Sequence, residues 1–491
     1  MMNDRLAPRL LRKMPAGVTR RGGDPAAVAR GLLSAWRNRG PDDGQALPAL
    51  LNSVALVCGR MSTMALGFLS WMLAARLYAP AEVGLAAGAI AAMMLCVQLG
   101  LFGIGPAVIA LFPQHQRGPT QLLNTAFSIV CGATLVAAVL FLALASAAFH
   151  ELSVLGHIPL YALLFVAMTL FGTVGVLFDH ISITLRRGDQ VLTRNVLNGV
   201  VTLGLVALLP LVTGRASSFT IFAAWVAGNL SCCVLGFVQL GRALPGYHYR
   251  PNLRLPLARQ LLGVGLPNWA LTLTERAPGP IMPVVVTELL SPVANARWYA
   301  VWMISWVVFI VPISVGQTLF ATAARQSGGL RAEVLRSIRS SLGLGCVMAA
   351  GVVVTAPLML WFLGHGYVAA GVTPLRILVV GVLPLTLIQA YFAVCRARRN
   401  LLEAILTGMA SGLCAIVGTA AAGVYYGLTG MALAWLTVQV ATALWALWRL
   451  RALTQWHPVA SAAERTAERT VMAVGKRLHD LAPVLAHDPD G

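Results

Sequence analysis

The sequence predicts an all-α, polytopic membrane protein of about twelve transmembrane helices in two six-helix lobes, with both termini cytoplasmic. Three observations predict it. Apolar runs of 20 or more residues recur from about Leu50 to Leu450, and each is long enough to cross a bilayer core. Only 11% of the 491 residues are charged, whereas a soluble domain carries about a quarter. Basic residues also crowd alternate loops, as they do in a chain threaded repeatedly through a membrane. The ten-residue alternating segments of an outer-membrane barrel are absent.

Residues 1–49 hold nine Lys/Arg among scattered Pro and Gly, and predict a poorly ordered basic tail without a secretory signal pattern. Spans follow at roughly 50–73, 84–111, 122–149, 158–178, 191–213 and 217–240, the first lobe. Span 2 is long and carries Gly100, Gly103, Gly105 and Pro106, where a bend is expected. A basic linker, 241–260, leads to spans at 261–285, 298–322, 341–363, 372–395, 400–424 and 428–449, the second lobe. The tail at 451–491 repeats AERTAERT and then places Val471, Val474, Leu478 and Leu481 at i, i+3, i+7, i+10. That spacing suits either an interfacial amphipathic helix or a solvated one.

With the N-terminus inside, the five cytoplasmic loops hold 15 arginines and the six outer loops only Arg76, Arg215 and Arg297. Most of the net charge of +19 is therefore topology and contact with anionic lipid heads, and nucleic-acid binding is not expected. The eight cysteines all lie in or at the ends of apolar segments without CxxC or metal spacing, so they read as small hydrophobes.

Two arginines escape the topological explanation. Arg60 and Arg276 stand in the middle of spans 1 and 7, each eight residues after an asparagine, Asn52 and Asn268. A guanidinium cannot be neutralised there, and an isolated one costs about 3 kcal/mol at mid-membrane. The shared Asn-x7-Arg opening and the Pro-containing turns LYAPAEVG and LLSPVANA that follow mark the two lobes as copies of one plan. Six spans per copy make the copies parallel, with a substrate cleft between them. After Glu275 and Arg276, the run Pro278, Gly279, Pro280, Pro283 puts four helix breakers in six residues and predicts a hinge.

The donor fork of arginine matches phosphate oxygens, so Arg60 and Arg276 are the expected substrate-binding pair. The structural alternative is an arginine held by a carboxylate. Glu275 is the candidate, as a gate or ion pair reaching Arg60 across the cleft. Asn52 and Asn268 either line the cavity or hydrogen-bond across helices. Asp179, His180, Arg186, Arg187 and Asp189 sit together after span 4; they could receive a sugar phosphate, and a salt-bridged positive-inside loop is the simpler reading. Glu403 is expected to anchor at the interface, screened by Arg396, Arg398 and Arg399, and the stripe of Trp298, Tyr299, Trp302 and Trp306 to join an aromatic belt. HExxH, GxSxG, Walker A and acidic metal clusters are all missing, so neither an enzyme nor a cofactor is expected.

The segment NSVALVCGR…LAARLYAPAEVGLAAGAIAAMMLCVQLGLFGIGPAVIALFP resembles the first two spans of polysaccharide-biosynthesis flippases of the MOP superfamily, the Wzx-like flippases related to the lipid II flippase and to MATE exporters. RRGDQVLTRN after span 4 and the span count agree; LLSPVANARWY departs, with Arg297 where the first-half turn carries Glu and Gly. The resemblance implies a flippase of the inner membrane that moves a polyprenyl-diphosphate-linked oligosaccharide to the outer leaflet. It also implies a basic central cavity, onto which Arg60 and Arg276 map. Its partners would be that lipid, anionic membrane lipids and other polysaccharide-synthesis membrane proteins. The alternatives are a MATE-type exporter of small compounds, which would need cavity carboxylates, and a non-transporting scaffold.

Overall fold

The structure, a computed structural model, describes residues 46–115, 118–323 and 330–455. Both tails, including Val471, Val474, Leu478 and Leu481, lie mostly or wholly outside the described residues. Within those residues the chain is helical and free of strands. The first half holds α1 (Ala46–Leu77), α2 (Pro80–Gly100), α3 (Ile104–Leu111), α4 (Pro119–Ala148), α5 (Pro159–Thr184), α6 (Gly188–Thr213) and α7 (Ser218–Ala243). The second holds α8 (Leu255–Arg276), α9 (Pro278–Leu289), α10 (Pro292–Ala323), α11 (Leu330–Trp361), α12 (His365–Val380), α13 (Val382–Ala397) and α14 (Leu401–Gln455). Pro80, Pro119, Pro159 and Pro292 each open a helix, where the missing N–H has no intrahelical acceptor to lose.

Ten helical stretches are long and apolar enough to cross a membrane. Twelve traverses result from two further features. The α8–α9 pair makes one traverse interrupted at Ala277. The 55 residues of α14 would reach about 80 Å if straight. Instead Arg449 Nε lies 2.6 Å from Glu403 Oε1, and Thr442 bonds Ser411 at 2.8 Å, so the chain doubles back between them. It turns at Gly427, whose φ of 61° and ψ of −156° suit glycine alone. Gly427→Ala is expected to cost about 1–3 kcal/mol. Gly418→Ala, inside the helix with open space at its Cβ, serves as the control. Thermal unfolding of the solubilised protein checks both, and equal melting temperatures would refute the assignment.

The bend expected in span 2 is present: α2 ends at Gly100 and α3 starts at Ile104, with Gly103 at φ 69°. There the two halves touch backbone to backbone, because Gly103 lies against Gly265 of α8 and neither position has room for a side chain.

Apolar packing divides the molecule unequally. At the arginine-poor end one core joins both halves, running from Trp71, Ile90 and Phe165 to Trp298, Val308 and Trp435. At the arginine-rich end there are two cores. One belongs to α3, α4, α5 and α7, with Leu261 of α8 docked on it. The other belongs to α10, α13 and α14, with Leu271 of α8 and Val334 of α11 packed into it. Trp298 lies fully buried in the shared core and stacks on Trp302, so it is not a belt residue; four-residue spacing describes a packed face as well as a lipid-facing one.

Polar contacts reinforce the joined end. Arg76 donates to the carbonyls of Trp361 and Phe362 at 2.6 and 2.7 Å. Asn295 donates to the Gly84 carbonyl at 2.8 Å. The Glu288 carboxylate accepts the N–H groups of His150, Glu151 and Leu152. At the other end the linker binds the first half: Tyr247 donates to Asn124 Oδ1 at 2.9 Å, and burial pushes its phenol up.

Candidate functional site

The two halves share an apolar core at the arginine-poor end and have separate ones at the arginine-rich end, where α8 makes the contact between them. α1 packs along α6. It meets the second half near the joined end, where Trp71 and Tyr299 stand 4.8 Å apart. At its opposite end, Asn52 Oδ1 accepts the Gly188 N–H and fixes α1 to the start of α6. Of the two alternatives open for the asparagines, Asn52 takes hydrogen bonding across helices, whereas Asn268 is exposed.

Arg60 lies eight residues beyond Asn52, about 12 Å along the helix from that tie. Its side chain is exposed and makes no hydrogen bond or ion pair with the described residues. Arg276 ends α8 and is also exposed. The two guanidinium charges lie close enough to act on one another. The two predicted arginines thus stand on different halves, Arg60 on α1 and Arg276 at the end of α8.

The carboxylates beside them are already occupied. Both oxygens of Glu275 accept from Arg396, each at 2.9 Å. In this conformation Glu275 therefore pairs with Arg396 on α13 and not with Arg60. Asp179 accepts from Arg194 at 2.8 Å, close enough to Arg60 for their charges to interact. Two carboxylates, each with its own arginine, leave Arg60 and Arg276 as surplus positive charge.

Arg194 is the residue that sequence reasoning missed most completely. Counted above as a loop cation, it lies inside α6 and is 1% exposed. It also donates to Gln239 at 2.6 Å and Ser182 at 3.1 Å, and lies over the Phe178 ring. It thereby ties α5, α6 and α7. The second half repeats the tie with inverted sign. Glu403 on α14 accepts from Tyr391 on α13 and, bidentate, from Arg449 on the returning limb. Glu403 is thus a structural centre held by Arg449, not an interface anchor screened by Arg396, Arg398 and Arg399.

The cluster after span 4 splits. Helix α5 continues to Thr184, so Asp179 and His180 are helical. Arg186, Arg187 and Asp189 are exposed around the turn and first residues of α6. The proline run also differs from expectation. Ala277 keeps right-handed helical angles (φ −58°, ψ −36°), and Ile281 still donates to its carbonyl. Pro278, Gly279, Pro280 and Pro283 thus interrupt hydrogen bonding without unwinding the backbone, because proline's fixed φ is itself helical.

The family described as polysaccharide biosynthesis protein matches residues 49–322. None of the curated proteins matches the chain. Among solved structures, the chain resembles an inward-facing multidrug resistance MATE family transporter of the MOP superfamily: 14% identity, TM-score 0.63, covering 82% of this chain and 99% of that one. It resembles the lipid II flippase MurJ in an inward closed conformation, at 14% identity and TM-score 0.64, covering 82% and 87%. A MOP superfamily transporter from Pyrococcus furiosus gives 15%, 0.57, 83% and 96%. At these identities the likeness establishes a common fold.

Proposed function

The chain belongs to the polysaccharide biosynthesis protein family, and from that premise we propose that it flips a polyprenyl-diphosphate-linked oligosaccharide from the cytoplasmic to the outer leaflet. The arginine-rich end faces the cytoplasm by the positive-inside rule, with both termini there and the loop cations against anionic lipid heads. The cleft is then inward-facing. Arg60 and Arg276 hold the diphosphate, the glycan fills the cleft and the polyprenyl tail stays in lipid. Rocking of the lobes 50–240 and 261–450, with flexure at Pro278–Pro283, exposes the cargo outside. Cargo carrying two negative charges out of an inside-negative cell gains about 2.3 kcal/mol per charge per 100 mV.

One observation carries the reading: Arg60 and Arg276 remain in surplus beside two carboxylates that are each already paired. A MATE-type cation exporter needs a free carboxylate at that place. Lipid analysis of a deletion strain tests the reading. A lipid-linked glycan should accumulate in the cytoplasmic leaflet and clear on complementation. A normal lipid profile combined with altered drug susceptibility would favour export, and a normal profile alone a scaffold.

A further inference from the structure

At the joined end, away from the cleft, a cavity of about 320 Å³ opens in the second half. It lies between the turn into α10, the start of α12 and the Gly427 turn, and its wall includes Ser291, Arg297, Thr373, Tyr426 and Thr429. That volume is at the small end of ligand sites, suited to one sugar unit rather than an oligosaccharide.

Arg297 is its charge. It is half-buried and has no hydrogen-bond or ion-pair partner among the described residues. A partly enclosed arginine facing a cavity without a counter-ion is a site for an acid group. Nearby, the Tyr367 hydroxyl is buried without a partner and feels the Arg297 charge. Asn295 Oδ1 and Trp298 Nε1, on the same two turns of α10, are also unpartnered. These three are among the six unsatisfied buried side-chain atoms of the described residues, and they lie behind the cavity wall rather than in its lining. The mouth adds an aromatic face, because Tyr425 and Tyr426 are about four-fifths exposed, the latter lining the cavity. Aromatic faces and short hydroxyls are what a sugar ring meets; an unpaired guanidinium adds selection for acid.

We propose that this cavity binds one acidic sugar unit, a hexuronate or hexose phosphate. Arg297 pairs the acid group, Ser291, Thr373 and Thr429 hydrogen-bond the ring hydroxyls, and Tyr426 stacks on the ring. The site is separate from Arg60 and Arg276 and does not depend on their assigned role.

The test is ligand binding to the full chain in detergent micelles, read by calorimetry and by thermal stabilisation, with glucuronate, glucose 1-phosphate, neutral glucose and glycerophosphate as probes. Glucuronate or glucose 1-phosphate should bind at least tenfold more tightly than glucose. Arg297→Gln should weaken that binding at least tenfold, Tyr426→Ala should weaken it for both sugars, and Arg60→Ala should leave it unchanged. Tyr426→Ala stands as the independent variant should Arg297→Gln fail to elute as a single folded species. Equal binding of glucose, no loss with either cavity variant, or loss with Arg60→Ala would overturn the proposal. Glycerophosphate binding as tightly as glucuronate would overturn it too, since the cavity would then be reading the phosphate of a lipid headgroup.

Discussion

Arg60→Ala and Arg276→Ala are each expected to slow transport about a hundredfold while leaving the fold intact. Each removes charge-assisted hydrogen bonds to the diphosphate, worth about 3 kcal/mol together, and each 1.36 kcal/mol is about tenfold in rate. The fold is spared because neither guanidinium makes a hydrogen bond with the described protein. Lysine at either site keeps the charge and loses the fork, so an intermediate rate is expected. Arg276→Glu, which sets a carboxylate against Arg60, is expected to abolish transport. Translocation of a fluorescent lipid-linked saccharide in proteoliposomes measures all five, alongside melting temperatures. Alanine variants that transport normally would sink the diphosphate assignment. Variants that melt early would return both arginines to a structural role.

The largest loss of stability is expected at Arg194. Its substitution by methionine leaves Asp179 charged without its partner and strips Gln239 and Ser182 of a donor. Breaking one side of a fully buried pair costs about 3–5 kcal/mol; here the loss is expected at about 2–3 kcal/mol, because Asp179 keeps 30% of its side chain exposed to water. The freed carboxylate also stands within electrostatic reach of Arg60, so transport should fall with stability. Removing both charges, as Arg194→Met with Asp179→Leu, should restore most of the melting temperature, because two apolar groups of similar volume have no charge to desolvate. A single mutant as stable as the parent, or a double mutant as weak as the single, would contradict the assignment.

The contrast between Arg60 and Arg194 shows what the sequence could reveal. Arg60 is anomalous by depth alone, being far from either end of its apolar run. Arg194 and Arg396 lie within a turn or two of a span boundary, where arginines normally serve topology. Which way such a residue points depends on helix phase and on partners far along the chain, such as Gln239 for Arg194 and Glu275 for Arg396. Helix number and turn positions were legible for the opposite reason. Span length and turn chemistry are local, so the reversal near Gly427 and the bend near Gly103 were visible in the residues that make them. The prolines after Arg276 keep helical angles in this conformation, because proline's fixed φ is helical and what its rarity in helix interiors reflects is the lost hydrogen bond.

The contacts at the joined end have a consequence for inheritance. Arg76 grips the carbonyls of Trp361 and Phe362, Asn295 that of Gly84, and Glu288 the N–H groups of His150 to Leu152. In each bond one half of the molecule contributes a side chain and the other only main chain. Substitution of the side-chain member destroys the bond, whereas most substitutions at the main-chain member leave it in place. Saturation mutagenesis should therefore find Arg76, Glu288 and Asn295 intolerant while positions 150, 151 and 362 drift; Trp361 is held as well by its ring, which lies 5.6 Å from the Arg76 guanidinium. The closure of the two halves is guarded by selection on one side of each contact, so it can persist while the opposite surface diversifies.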